Sequence, residues 1–472
     1  MSMAAPGRLR VMLNETVGGL PTTFWWLWTS TLVNRLGSFV VTFLTLYLTT
    51  TRGFSPAVAG LVVSAYGLGG VFGSIIGGVL ADRIGRRPTL VTAQVLAAVT
   101  TVALGYTRAP VLIAVVAALL GLTSGCARPA TSAAMADLVP SADRVRAFSL
   151  NYWAINIGFA ISASVAGLIA AHGFVLLFWG DAITTLLCAL VVFLRIPETR
   201  PEQTSAASEA GTSEAGTSEP DEGSVSMGTV VRDGAFMGLV VLTFLLAVVE
   251  GQNAVALPVV MGRQGFTATD YGLVIAVNGL VVVLAQMPIS RVVEHGSRKA
   301  ALTSAALLLG FGTALCAFAG AIWFYALTVV IWTCGEMIWT PATQALVAEL
   351  SPTHGRGRYQ GALQLAWQAN SFMAPLSAGF MLSAWGANSV WATCATLGVV
   401  CAGGYVLLMR GRAGGLQAVR IDDGEVAESA MAESAMAESA VNDGGLDGGA
   451  LDGGALDGGC GNNSGASADV AS

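Results

Sequence analysis

The sequence predicts an all-α polytopic membrane protein with twelve transmembrane helices arranged as two pseudo-symmetric six-helix bundles. Three observations carry that reading. Of 472 residues, 54% are apolar and only 11% charged, with mean hydropathy +0.68, whereas a soluble domain carries about 25% charged residues. Apolar stretches of roughly twenty residues recur along the chain, each long enough to cross a hydrocarbon core about 30 Å thick as a helix. The chain also repeats itself at a constant offset of 212 residues.

The spans run 22–49, 57–80, 89–106, 111–136, 148–171, 174–194, 235–261, 271–293, 300–319, 321–347, 360–383 and 388–409. Glycine and proline inside them do not veto helices, because neighbouring helices satisfy the freed backbone groups. The first span is too long for a cleavable signal peptide and lacks its flanks. Cationic loops stay cytoplasmic, and alternate loops of this chain differ sharply in charge. One set holds 18 of the 23 basic residues, including Arg83, Arg86, Arg87, Arg144, Arg146, Arg298 and Lys299. The other set holds Arg52, Arg108 and Arg263, while Arg35 and Arg128 lie inside helices. Both termini are therefore expected to be cytoplasmic. One lysine among 23 basic residues is the codon signature of a GC-rich bacterial genome, so a bacterial plasma (inner) membrane is the expected location.

The net charge of −6 does not describe the membrane body, because 8 of the 29 acids fall in 197–233 and 11 in 422–472. Between the sixth and seventh spans, SAASEAGTSEAGTSEPDEGS is small, polar and acidic, a composition that cannot bury a core. The tail repeats AESAM and LDGGA in the same manner. The expected organisation is a cytoplasmic N-terminus (1–21), an N-terminal bundle (22–196), a flexible acidic linker (197–234), a C-terminal bundle (235–410) and a disordered tail (411–472). Solvated filler accounts for both acidic segments, with partner binding the alternative.

The repeat needs no gap. GFSPAVAGLVV at Gly53 falls on GFTATDYGLVI at Gly265, Asp82, Arg86 and Arg87 on Glu294, Arg298 and Lys299, and PATSAAMADLVP at Pro129 on PATQALVAELSP at Pro341. Charges, prolines and glycines kept in one register across two loops mark a duplicated six-helix unit, and an even number of crossings makes the two copies parallel repeats.

The loop after the second span reads Gly77-Gly78-Val79-Leu80-Ala81-Asp82-Arg83-Ile84-Gly85-Arg86-Arg87. It resembles the signature loop of the Major Facilitator Superfamily, G-x-L-A-D-R-x-G-R-R, and with the half-repeat the resemblance covers residues 22–410. The resemblance implies secondary active transport by alternating access. It further implies that Gly78, Asp82, Arg83, Gly85, Arg86 and Arg87 form a lock between the halves in one state. In physical terms Gly77 and Gly78 allow close helix approach, and Asp82 can accept hydrogen bonds from arginines or the positive end of a helix. A merely topogenic basic loop is the alternative. Gly158, Ala163 and Gly167 are similar to the fifth-helix motif of drug:proton antiporters, without its Gly-Pro pair. Gly335-Glu336-Met337 with Pro341 resembles multidrug exporters and peptide carriers alike, and Asn34-Arg35 ahead of Leu46-Tyr47-Leu48 resembles the peptide carriers' Glu-Arg-Phe motif without its glutamate.

An ionisable side chain at membrane depth costs several kcal/mol unless paired or hydrated, which makes each one a functional candidate. Arg35, Arg128, Glu250 and Glu336 fall deep in spans one, four, seven and ten, the helices that line the central cavity in the resembled fold. Arginines in one half and glutamates in the other could form and break ion pairs across a moving interface, with protons loading the glutamates; static interhelical pairs are the alternative. Asp181, about two turns from one end of the sixth span, reads as interfacial. Trp332, Glu336 and Trp339 share a helix face, a setting for an amphipathic or cationic organic molecule, unless the indoles simply pack or mark an interface. Gln364, Trp367, Gln368 and Ser371 form a polar stripe on the eleventh span, as Tyr152 and Asn156 do on the fifth, and Asn278 lies in the eighth. Such stripes either line the substrate cavity or zip the halves together.

There is no phosphate-binding glycine-lysine loop or catalytic triad, only three histidines are present, and the seven cysteines lack metal-ligand spacing. The expectation is a transporter and not an enzyme, without cofactor, metal or nucleic acid. Its expected partners are a small-molecule substrate, protons and the lipid bilayer, and it is expected to work as a monomer. Proton-coupled efflux of small amphipathic compounds is the first reading. A proton-coupled symporter of peptide-like or other small solutes is second, and a receptor or scaffold is the competing class.

Overall fold

The computed structural model describes residues 18–140, 143–199, 227–352 and 356–410. The tail (411–472), residues 1–17 and most of the linker lie outside the described residues. Twelve long helices are present among them: α1 Thr22–Thr51, α2 Pro56–Arg83, α3 Arg86–Tyr106, α4 Pro110–Leu138, α5 Arg144–Ala170, α6 Val175–Arg195, α7 Gly234–Arg263, α8 Ala268–His295, α9 Arg298–Phe318, α10 Ile322–Leu350, α11 Arg356–Ala384 and α12 Ala387–Arg410. Eleven are long and apolar enough to cross a membrane. The exception, α11, has the length at 29 residues, but its polar stripe of Gln360, Gln364, Gln368, Asn370 and Ser371 lowers its hydropathy.

Local chemistry sets the helix starts. Ser55 accepts from the Val58 amide with Pro56 in the first turn of α2, Asp233 accepts from the Phe236 amide at 3.0 Å to open α7, and Thr267 with Asp270 forms a capping box on α8. Each satisfies a backbone donor that the first turn leaves free. The linker's edges are ordered, since a short helix, Met227–Arg232, precedes α7 and Glu198 docks on the first half.

Two helices are interrupted. In α1 the break falls at Gly37 and Ser38, between Thr22–Leu36 and Phe39–Leu46. A Cβ at Gly37 would sit 1.7 Å from Thr184 Oγ1 of α6, so only glycine lets α6 approach here. In α7 the residues Gln252–Ala254 form a 3-10 turn.

The two halves meet along α2 with α11 and α5 with α8, and they meet at one end. Cβ atoms on Gly60 and Gly67 would lie 2.4 Å from Pro375 O and 2.0 Å from Ser371 O. Ser64 Oγ donates to Phe372 O at 2.8 Å and the Ala57 amide to Ser383 Oγ at 2.9 Å. On the other side of the molecule Gly272 abuts Ala163, and Thr269 Oγ1 donates to Gly167 O at 3.0 Å. Thr45 of α1 bridges to Ala254 O of α7 at 2.9 Å. Because α2 and α11 run antiparallel in this seam, Gly78 would face Gly361 if it continued. Nothing lies within 4 Å of a Cβ on either. The halves are thus sealed at the end carrying the 51–56 and 263–268 connections and apart at the end carrying the signature loop.

The apolar core differs between halves. One continuous cluster fills the C-terminal half, with Leu246, Leu309, Trp339 and Tyr405, and extends across the seam to Phe43 of α1 and Ala163 of α5. The N-terminal half has two, one around Phe24, Leu90 and Met135 and another around Leu44, Leu104 and Phe178. A polar cavity separates them.

Candidate transport site and gate

That cavity has a volume of about 430 Å³ and is lined from all six helices of the N-terminal half. Arg35 of α1, Arg128 of α4 and Asp181 of α6 all border it. Arg35 reaches it because Gly158 of α5 leaves room, a Cβ there falling 2.5 Å from Arg35 Cβ. The expectation that Asp181 is interfacial fails. Its Oδ2 accepts from the Val40 amide at 3.1 Å, the donor left free where α1 breaks, and Thr185 Oγ1 lies 3.5 Å from its Oδ1. Depth counted along α6 missed this because the break in α1 could not be read from the sequence.

A second cavity of about 240 Å³ lies between the halves, bordered by Tyr66, Arg128, Gly251, Gln368, Asn370 and Ser371 among others. Arg128 and Tyr66 therefore border both. Of the expected substrate-wall residues, Gln368 borders this cavity; Gln364 is exposed on the unsealed part of α11, and Asn156 donates to Tyr152 O of its own helix at 2.9 Å.

The two glutamates lie together in the C-terminal half, close enough for their charges to interact. Glu336 accepts from Asn278 Nδ2 at 3.1 Å, and the same amide donates to Thr333 Oγ1 at 3.0 Å. Glu250 Oε2 is buried without a hydrogen-bond partner, and Tyr152 of α5 is near enough to both acids to feel their charge. No ion pair within 4 Å joins either glutamate to Arg35 or Arg128 among the described residues. The anticipated pairing across the halves is absent in this state: the cations border the N-terminal cavity, whereas Glu336 turns to Asn278 of α8 and Glu250 lies near Glu336.

The tryptophan face also differs from expectation. Trp339 is 0% exposed, donates from Nε1 to the Tyr405 hydroxyl at 3.2 Å and has its ring 4.9 Å from that of Trp367. Trp332 is buried at 6% exposure. These indoles are core, so Trp339→Phe is expected to lower stability by about 1–3 kcal/mol and to leave substrate preference unchanged, read by thermal unfolding beside a transport screen.

At the open end the signature loop folds back on its own half. Arg86 Nε lies 3.0 Å from Asp137 Oδ2 and its Nη1 donates to Ala81 O at 3.1 Å. Asp82 is 3.6 Å from Arg86 with its side chain 76% exposed, and Arg83 is exposed. Glu198, just beyond α6, caps α3 by accepting from the Arg86 and Arg87 amides at 2.8 and 3.1 Å. Arg87 donates to Phe193 O and lies 4.9 Å over the Phe193 ring. Gly77 packs on α4, whereas Gly78 faces open space. Gly85 has φ +112°, and a Cβ there would sit 2.5 Å from the Glu198 carboxylate. Gly85→Ala is therefore expected to cost about 1–3 kcal/mol in thermal unfolding, from backbone strain and loss of the cap.

Sequence reading missed Glu198, Asp137 and Tyr66. The 212-residue register held a signal for the last two. It places Arg86 and Asp137 on Arg298 and Glu349, which also meet. It places Tyr66 and Ser124, within hydrogen-bonding reach of each other, on Asn278 and Glu336.

Two six-helix bundles, sealed at one end around a charged interior, define a multi-pass membrane carrier. The sequence profile of the Major Facilitator Superfamily matches residues 27–267 and 239–420, and the chain belongs to that family. Its members are transporters and not enzymes. The chain is 25% identical over 367 residues to a Na(+), Li(+), K(+)/H(+) antiporter of Planococcus maritimus, covering 73% of this chain and 85% of that protein. It is 26% identical over 353 residues to the class C tetracycline resistance protein of Escherichia coli, covering 72% and 85%. Among solved structures, a POT family transporter in complex with a thioalcohol-conjugated peptide superposes with TM-score 0.66 at 16% identity, covering 83% of this chain and 96% of that one. At that identity the likeness concerns fold alone.

Proposed function

We propose that the chain exports small amphipathic organic compounds in exchange for protons, by alternating access across a bacterial plasma membrane, with both termini cytoplasmic and the monomer as the working unit. The carrying observation is the glutamate pair: two neighbouring carboxyls at membrane depth, one with an unpartnered buried oxygen and neither within 4 Å of a cation among the described residues. Two like charges sharing a site of low polarity repel, and a proton removes one of them. Proton occupancy then alters how the acidic half faces Tyr152 and the cationic half, which biases the rocking of the bundles. With cytoplasmic termini, the seam is closed outside and open inside, the state that admits a compound for export. The names of the antiporter and tetracycline-resistance relatives support the same direction.

The test is a compound screen in everted vesicles carrying an imposed proton gradient. Exported compounds are expected to dissipate the gradient on addition. Accumulation in right-side-out vesicles driven by inward protons, with no dissipation in the everted ones, would overturn antiport in favour of symport.

A further inference from the structure

The cavity inside the N-terminal half is distinct from the glutamate pair and is electrically unlike it. Among the described residues, neither the Arg35 nor the Arg128 guanidinium makes a hydrogen bond or ion pair with a protein group, although both residues border the cavity. Two guanidiniums, with five N–H donors each, thus border one cavity. The acid that shares the space, Asp181, is committed to the break in α1 through the Val40 amide, and no ion pair within 4 Å links it to either arginine. The cavity therefore carries two cations against one engaged anion. A cation at membrane depth without a partner is costly, and a ligand bearing an oxyanion relieves that cost through charge-assisted, planar guanidinium contacts.

The walls set the rest of the ligand. Leu27, Val41, Leu90 and Leu120 supply apolar surface, and Asn34 and Ser124 supply neutral polar groups. A volume of about 430 Å³ lies within the roughly 300–1,000 Å³ of small-molecule sites. Arg128 also borders the pocket between the halves, so a ligand held by it lies next to the path that opens and closes.

We propose that this cavity binds the oxyanion group of small amphipathic organic acids, with Arg35 and Arg128 as the cationic ligands. The inference deepens the transport reading by naming the charge class of the substrate, and its test needs no gradient, so the two can fail separately. The purified full chain in detergent is titrated with three probes of matched shape: benzoate, benzyl alcohol and benzylammonium. Thermal unfolding and tryptophan fluorescence report binding. Benzoate is expected to stabilise the protein saturably, and the other two are not. Its affinity should fall about tenfold or more in Arg35→Gln and in Arg128→Gln, and recover in part in the corresponding lysine variants, which keep the charge. Equal responses to benzoate and benzyl alcohol in the wild type would overturn the proposal even if no variant folds. Benzoate affinity that survives both glutamine substitutions would overturn it too.

Discussion

Glu336→Gln is expected to reduce proton-driven exchange about tenfold or more, since couplings between binding events are typically on the order of 1–3 kcal/mol, while gradient-free counterflow of substrate continues. Glutamine keeps the length and the hydrogen bond that Asn278 Nδ2 gives at 3.1 Å, so the fold around α8 and α10 is preserved. What it removes is the ability to exchange a proton beside Glu250. The same substitution at Glu250 should act in the same direction. The pair acts as a unit, so the double variant is expected to lose little more than either single one. Unchanged gradient-driven exchange in the double variant would rule out proton loading at this pair. Loss of counterflow together with exchange would instead mean that the acids hold substrate or structure.

Gly67→Leu is expected to abolish transport by wedging the seam. A Cβ at Gly67 already falls 2.0 Å from Ser371 O, a backbone atom with no freedom to move aside. Overpacking of a tight contact costs about 1–3 kcal/mol or more, and here the cost applies only to the state in which α2 and α11 touch at this end. The population should shift about tenfold or more toward the opposite state. Labels across the sealed end would separate, whereas overall unfolding temperature would change little. Gly78→Leu is the control, because Gly78 faces open space in this state.

The fold was legible because a membrane sequence declares its helices by length and its duplication by register. The eleventh helix was found as a stretch of about twenty residues, although its polar stripe leaves its hydropathy low. The charged positions were legible too: arginines and glutamates interrupt apolar runs, Arg35 and Arg128 border the N-terminal cavity, and Glu250 and Glu336 lie near each other. Direction around the helix was not. Trp332 and Trp339 lie seven residues apart and so share an azimuth to within about 20°, while Glu336 lies about 40–60° away from them. Both indoles turn into the core with Tyr405 behind Trp339, and Glu336 turns to Asn278. The breaks in α1 and α7 depend on what packs against them, Thr184 on Gly37 and Ser377 on Gln252. Asp181 gains its place only through the first of these, which is why counting turns along α6 put it at the interface.

The central claim is that proton occupancy of the glutamate pair sets which end of the seam is shut. The most direct test is a pulsed spin-label distance between Gly78→Cys and Gly361→Cys, which the register of the α2–α11 seam, if continued, sets opposite one another and which have free space around them. Lowering the pH is expected to shift the population between a long and a short distance in the otherwise native protein. With Glu250→Gln and Glu336→Gln added, the distribution should stop responding to pH. A distribution that responds equally with and without the two glutamates, or that never holds a short component under any condition, would contradict the account.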